Sequence, residues 1–308
     1  MTAETTRPFV ADPTYPHWPQ VATLIRDSFA YMTPLLGHVP RAADLTAQDL
    51  ANAAATGTAF VIENRGTPVA CLFGRPSRDI AHALYCGWLA TSETQRGRGL
   101  ARRLLAAAET RAITQGLSVL TLDTGTALTD LHTAFARLGF RLATTTDDVV
   151  TFLKPLPRRM TPDEDFTPLH ALLTAAFAYM ETRIDPPSSL ARMSADSLRG
   201  EATTKEIWAI EDAGQPVACM ILTPQPDTLY LGKLATSAAH RGQGLARRLI
   251  AHAESRARAL NLPSVTLQTR IELSENHATF RALGFAQTGE TAHPGYDRPT
   301  SLTFTKTL

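Results

Sequence analysis

Two nearly identical segments of this 308-residue sequence have the residue types and spacing to hold an anion. One, "RGRGLARRL", begins at Arg96; the other, "RGQGLARRL", begins at Arg241. Each sets two glycines in alternate positions ahead of a run with apolar residues at helical spacing. Gly97 and Gly99, like Gly242 and Gly244, allow a tight turn and bring main-chain N–H groups close to a ligand with no Cβ between. The first amides of the following helix lack partners within it, and the helix dipole puts partial positive charge behind them. Phosphate is the usual guest of such a site. Arg241, Arg247 and Arg248 add charge. Neither segment ends in Gly-Lys-Ser/Thr, and the third glycine of the dinucleotide fingerprint is missing, so a magnesium-bound γ-phosphate and a Rossmann cofactor are both disfavoured.

The duplication extends far beyond these loops. "SFAYM" at Ser28 returns as "AFAYM" at Ala176, and "PVAC" at Pro68 returns at Pro216, both 148 positions later. "LATS" at Leu89 and "LGF" at Leu138 return 145 positions later, at Leu234 and Leu283. The chain therefore reads as two copies of one domain of about 150 residues, a size at which a single core is stable. The expected domains are 1–157 and 158–308. The joint, "PLPRRMTPDEDFTP", reads as a linker from its prolines and mixed charges.

The elements that must position the loops follow from periodicity. In the second copy "PLHALLTAAFAYM" is an amphipathic helix, "EIWAIEDAGQPVACMILTP" two strands around a turn at Asp212 to Gly214, and "TLYLGKLATS" a further strand leading into the glycine loop. The long helix "LARRLIAHAESRARAL" comes next, then a strand at "SVTLQTR", a helix at "SENHATFRAL" and closing strands at "GFAQTG" and "SLTFTKTL". Strands and helices do not alternate strictly, so the fold class is α/β of the mixed α+β kind, with a mixed sheet in each copy.

With these residues in place, Arg-x-x-Gly-x-Ala (Arg96, Gly99, Ala101; Arg241, Gly244, Ala246) resembles the acetyl-coenzyme A loop of the GNAT superfamily of N-acetyltransferases. The resemblance covers both halves and is most specific over "LYLGKLATSAAHRGQGLARRLI". It implies two tandem GNAT-like domains, each with a mixed, mostly antiparallel sheet. It also implies acetyl-CoA as the cofactor, its pyrophosphate on the amides of Arg98, Gly99, Leu100 and Ala101 or of Gln243, Gly244, Leu245 and Ala246. The pantetheine arm would pair with the strand ending at Leu89 to Thr91 or Leu234 to Thr236, and one amide, of Leu89 or Leu234, would face the thioester carbonyl.

The family's tyrosine general acid is replaced by Phe135 and Phe280, neither of which can donate a proton. Phe280 and Asn276 stand where the family contacts the coenzyme; Leu131 replaces the asparagine in the first copy. His132 and His277 precede the phenylalanines on the same helices and could act as base or acid. Tyr296, in the second copy's "HPGYDRP" insertion, is a candidate proton donor, and Glu181 borders the expected acceptor pocket, where the first copy has Thr33. Asn276, Tyr296 and Glu181 favour the second copy as the catalytic one. The expected activity is acetyl transfer to an amine of a small molecule or protein; the alternative is an acyl-CoA sensor or scaffold without turnover.

Bulk properties are compatible. A formal net charge of +1 lacks the basic field that nucleic-acid or membrane-surface binding needs. Cys71, Cys86 and Cys219 are too few and scattered for a disulfide framework or a zinc site, and Cys71 and Cys219 read as packing residues. A cytoplasmic chain is expected, either a monomer with an internal pseudo-dimer or a homodimer.

Overall fold

A computed structural model describes residues 7–308. The chain divides after Leu156 into two compact units. The first unit's strands are β1 (Phe9–Ala11), β2 (Thr58–Asn64), β3 (Thr67–Pro76), β4 (Ala83–Thr91), β5 (Val119–Gly125), β6 (Arg141–Thr145) and β7 (Val149–Pro155). Its helices are α1 (Trp18–Phe29), α2 (Thr33–Leu36), α3 (Ala47–Thr56), α4 (Leu100–Thr114) and α5 (Thr129–Arg137). The second unit has β8 (Arg158–Met160), β9 (Glu206–Asp212), β10 (Gln215–Gln225), β11 (Thr228–Thr236), β12 (Ser264–Arg270), β13 (Ala286–Thr291) and β14 (Ser301–Thr307). Its helices are α6 (Thr167–Phe177), α7 (Ala195–Glu201), α8 (Leu245–Ala259) and α9 (Ser274–Ala282).

Each unit builds one seven-stranded mixed sheet, in the order β1-β2-β3-β4-β5-β7-β6 and β13-β14-β12-β11-β10-β9-β8. All neighbours are antiparallel except β4 with β5 and β11 with β12. Alternation of side chains gives each sheet two apolar faces. In the first unit Leu84, Leu120 and Leu122 pack with Leu104 and Leu105 of α4, while Val61, Cys71 and Ala90 pack with Val21 and Ile25 of α1. Truncating a fully buried leucine such as Leu104 would cost about 2–5 kcal/mol.

Part of the expected linker is strand. Arg158–Met160 pairs antiparallel with Ala209, Trp208 and Ile207 of β9, and the Arg158 guanidinium bonds to Glu211 and Glu164. Prolines and mixed charges made this stretch read as a linker; here Arg158 is paired along a sheet edge.

Both units carry the same strut. Lys154 Nζ reaches Glu109 of α4 at 2.6 Å and the Leu138 carbonyl at 2.7 Å. Lys306 Nζ reaches Glu254 of α8 at 2.6 Å and the Leu283 carbonyl at 2.9 Å. Each lysine thereby satisfies an orphan carbonyl at the end of α5 or α9 and ties that helix to the glycine-loop helix.

Candidate active site

The site is built around a fork between parallel strands. β4 and β5 are in register only at Ala83↔Val119, Leu84↔Leu120 and Tyr85↔Thr121, and β11 and β12 only at Leu229↔Val265 and Tyr230↔Thr266. Beyond those pairs the strands part, leaving β4 past Tyr85 and β11 past Tyr230 without a neighbour on that side. An unpaired strand edge offers its N–H and C=O groups to any extended amide chain that enters the gap.

A bulge on the opposite edge aims one of those groups. The register with the preceding strand skips between Cys71 and Phe73 and between Cys219 and Ile221. Trp88 and Lys233 sit at the skips with φ of 45° and 49°, a left-handed conformation that non-glycine residues adopt at a cost of roughly 1–2 kcal/mol. Their carbonyls accept the thiols of Cys71 and Cys219, at 3.5 and 3.8 Å. A trans peptide sets N–H opposite C=O, so the amides of Leu89 and Leu234 turn away from β3 and β10, toward the side that β5 and β12 have vacated.

Each forked strand ends at Thr91 or Thr236 and leads through a single turn of 3-10 helix into the glycine loop. Gly97 and Gly99 have φ of 77° and 73°, and Gly242 and Gly244 77° and 74°. Gly99 and Gly244 cap α4 and α8 with no side-chain hydrogen bond, and the first helical bonds run from Arg103 to Gly99 and from Arg248 to Gly244. The amides ahead of these lie outside the helical ladder. A Cβ placed on Gly97, Gly242 or Gly244 would meet nothing within 4 Å, so these turns face open space. At Gly99 the Arg102 guanidinium lies 3.5 Å from that position. Arg96, Gly97 and Arg98, and Arg241, Gly242 and Gln243, are exposed; Leu100 and Leu245 anchor the helix starts in the cores. The loops thus fit a diphosphate: open, cationic and rich in free donors.

The remaining expected residues have the following partners. Asn276 Nδ2 donates to the Tyr179 hydroxyl at 3.3 Å. Phe280 packs edge-on to Phe285 and tilted on Phe304. Tyr296 is bonded through its hydroxyl to Asp185, which with burial raises its pKa above the usual phenol value. Glu181 is exposed, its N–H bonded to the Ala178 carbonyl. His277 is buried, and Nε2 bonds to the Arg270 carbonyl at 2.9 Å. His132 makes the same bond to the Gly125 carbonyl at 3.0 Å. A contact repeated in both units, spent on a main-chain carbonyl, gives these histidines the role of tying α5 to β5 and α9 to β12. The three cysteines are free and buried, and burial pushes each thiol up to about 12, so all remain protonated.

Several features escaped the sequence reading: the forks, the bulges, and the tyrosines at the fork apices. Tyr85 and Tyr230 lie over Gly87 and Gly232, where a Cβ would stand 3.0 and 3.3 Å from their rings. Tyr85 also donates to Asp123 at 2.6 Å, beneath the Arg75 guanidinium. For the tyrosines, the repeated Tyr-x-Gly of "YCGW" and "YLGK" was the available signal.

A mixed sheet forked at its one parallel junction, with a glycine-capped helix below the fork, defines the N-acetyltransferase fold, here in duplicate. The chain belongs to the acetyltransferase (GNAT) family, whose pattern matches residues 18–140 and 169–285. Similar solved structures include a GNAT family acetyltransferase from Elizabethkingia anophelis with acetyl-CoA bound, at 15% identity and a TM-score of 0.37, covering 49% of this chain and 97% of that one. The PaiA N-acetyltransferase of Thermoplasma acidophilum in complex with coenzyme A is 12% identical with a TM-score of 0.43, over 49% and 99% of the two chains. The ribosomal-protein-S18-alanine N-acetyltransferase of Escherichia coli is 17% identical with a TM-score of 0.35, over 49% and 94%. Among the described residues no helix is long and apolar enough to cross a membrane, and no group of three or more His, Cys, Asp or Glu could hold a metal ion.

Proposed function

We propose that the protein transfers an acetyl group from acetyl-CoA to an amine, and that the C-terminal domain performs the transfer. The observation that carries this reading is the fork between β11 and β12 joined through one 3-10 turn to a glycine turn that is open at both Gly242 and Gly244. When bound, acetyl-CoA supplies an electrophilic thioester carbon and a thiolate leaving group. The amides of Gln243, Gly244, Leu245 and Ala246 hold the pyrophosphate, with Arg241 beside them. The free edge of β11 from Leu231 to Thr236 takes the pantetheine amides. Leu234 N–H donates to the thioester oxygen as it gains charge, a contribution of about 3–4 kcal/mol to lowering the barrier.

The acceptor amine must be neutral to attack. Neither Phe280 nor Phe135 can protonate the departing sulfur. A free thiol has a pKa of about 8.5, so thiolate leaves near neutral pH without an acid, and lacking one costs at most about 10²–10⁴-fold. The first domain shares the fork and loop, but Arg102 overlies its glycine turn and Leu131 replaces Asn276. We assign it coenzyme binding rather than turnover. A cytoplasmic setting suits three unpaired thiols.

The test is thiol release from acetyl-CoA across a broad amine panel, in the wild type and in Gly244→Glu. Amine-dependent release that disappears in the variant supports the assignment. Tight coenzyme binding without release from any amine favours a second reading, an acyl-CoA sensor, which the two phenylalanines at the acid positions motivate.

A further inference from the structure

The end of β12 carries a buried cation whose hydrogen bonds are incomplete. Arg270 is 8% exposed, and its Nε and Nη2 are buried without a hydrogen-bond partner. These two nitrogens form one edge of the guanidinium, the edge that presents two parallel N–H groups to a carboxylate. Glu272 Oε2 is buried and also has no hydrogen-bond partner. It stands 3.8 Å from Nε, beyond hydrogen-bond range, while its Oε1 accepts the Asp185 N–H at 3.3 Å. The two groups offset each other's charge across 3.8 Å but leave their hydrogen bonds unmade, and desolvated donors and acceptors without such bonds are costly to a folded chain unless a ligand completes them.

The position is right for the acceptor. Arg270 lies four residues past Thr266, and Leu234 four past Tyr230, the last paired residues of the fork. Both therefore lie on the diverging arms, beyond the last pairs that join β11 and β12. Asp185 of the segment after α6 and Tyr296 of the "HPGYDRP" insertion meet beside Arg270, with Arg298 3.6 Å from Asp185. The first domain has Gly125 at the matching place, and the Leu36 side chain lies 2.3 Å from where a Cβ would stand. That position is apolar in one unit and carries a buried ion pair short of hydrogen bonds in the other.

We infer that the acceptor of the C-terminal domain is a small amine that also bears a carboxylate, of the amino-acid class, with its carboxylate on the Nε–Nη2 edge of Arg270 and its N–H directed to Glu272. The inference rests on the acetyl-transfer reading and narrows it.

The test is calorimetric titration of the full chain, with and without coenzyme A, using the standard amino acids, each beside its primary amide. The expected result is that at least one amino acid binds, with its amide weaker by on the order of a hundredfold, since the lost contact is a charged hydrogen-bonded pair. Arg270→Gln abolishes that difference and leaves coenzyme A binding unchanged. Failure of every amino acid to bind, equal binding of acid and amide, or a preference that survives Arg270→Gln overturns the inference. Should Arg270→Gln fail to fold, the acid–amide comparison in the wild type decides alone. Amino-acid binding needs no acetyl-CoA chemistry, so loss of this inference and loss of the acetyl-transfer reading register separately.

Discussion

The Cys219 thiol donates to the Lys233 carbonyl at 3.8 Å, and Cys71 makes the same contact with Trp88 at 3.5 Å. The duplicated "PVAC" thus has a purpose beyond packing. Each cysteine pins a strained bulge residue and, through the rigid peptide, directs the amide of the next residue toward the fork. Burial keeps the thiol protonated up to about 12, so it serves as a donor throughout the physiological range.

Removing the pin should loosen the donor without touching the phosphate loop. Cys219→Ala is expected to slow acetyl transfer about tenfold, in kcat more than in the KM for acetyl-CoA, because small misplacements of reacting groups are expensive. Cys219→Ser, which keeps a donor, recovers most of the rate. Steady-state kinetics on the three proteins checks this; equal kcat values would show that the bulge holds itself.

His277 is expected to matter for folding and not for proton transfer. Its hydrogen bond to the Arg270 carbonyl is buried, so His277→Ala should cost about 1–3 kcal/mol in urea denaturation. The pH–rate profile of the soluble variant should keep its shape. A lost titration limb near neutral pH would restore the histidine as a base.

Stability of the C-terminal domain should weaken in mild acid. His252 packs on Trp208, with ring centroids 4.0 Å apart, and its Nε2 is buried without a partner. Burial first, then the nearby Arg256 cation, lowers its pKa to about 4, against the opposing pull of Glu206. Between about pH 6.5 and 4 the unfolded chain therefore binds more protons than the folded one, and stability falls as pH falls through that window. The full effect is up to about 3 kcal/mol. Urea titrations at pH 7.5 and 4.5 should show a pH dependence that His252→Leu largely removes; identical slopes in the two proteins would contradict it.

The lysine struts should be equivalent. Lys306→Met leaves Glu254 only Arg258, at 3.9 Å, and strands the Leu283 carbonyl; Lys154→Met removes the bonds to Glu109 and the Leu138 carbonyl. Each is expected to lower stability by about 1–3 kcal/mol, the cost of partly buried polar groups left unmatched. Thermal denaturation of each variant checks this.

The sequence made the duplication, the element order and the glycine turns legible, because glycine spacing and apolar periodicity are local signals. Arg158–Met160 was missed because a three-residue edge strand carries too little periodicity to outweigh its charges. The fork was invisible for a different reason: it is the absence of pairing beyond Tyr230 and Thr266, and nothing in either strand's composition marks where a neighbour departs. His277 looked chemical because it is a histidine beside the expected site; its tertiary partner, a carbonyl seven residues back, is set by the fold and leaves no mark in the sequence. Arg270 drew no notice in "SVTLQTR", since a single strand-end arginine normally reaches solvent.

The central claim is that the two glycine turns present free amides to a diphosphate. Calorimetric titration of the full chain with coenzyme A, in the wild type, Gly99→Glu, Gly244→Glu and the double variant, tests it most directly. The account predicts two sites in the wild type, one in each single variant and none in the double. Coenzyme A binding that persists unchanged in the double variant, or a wild type that does not bind at all, would contradict it.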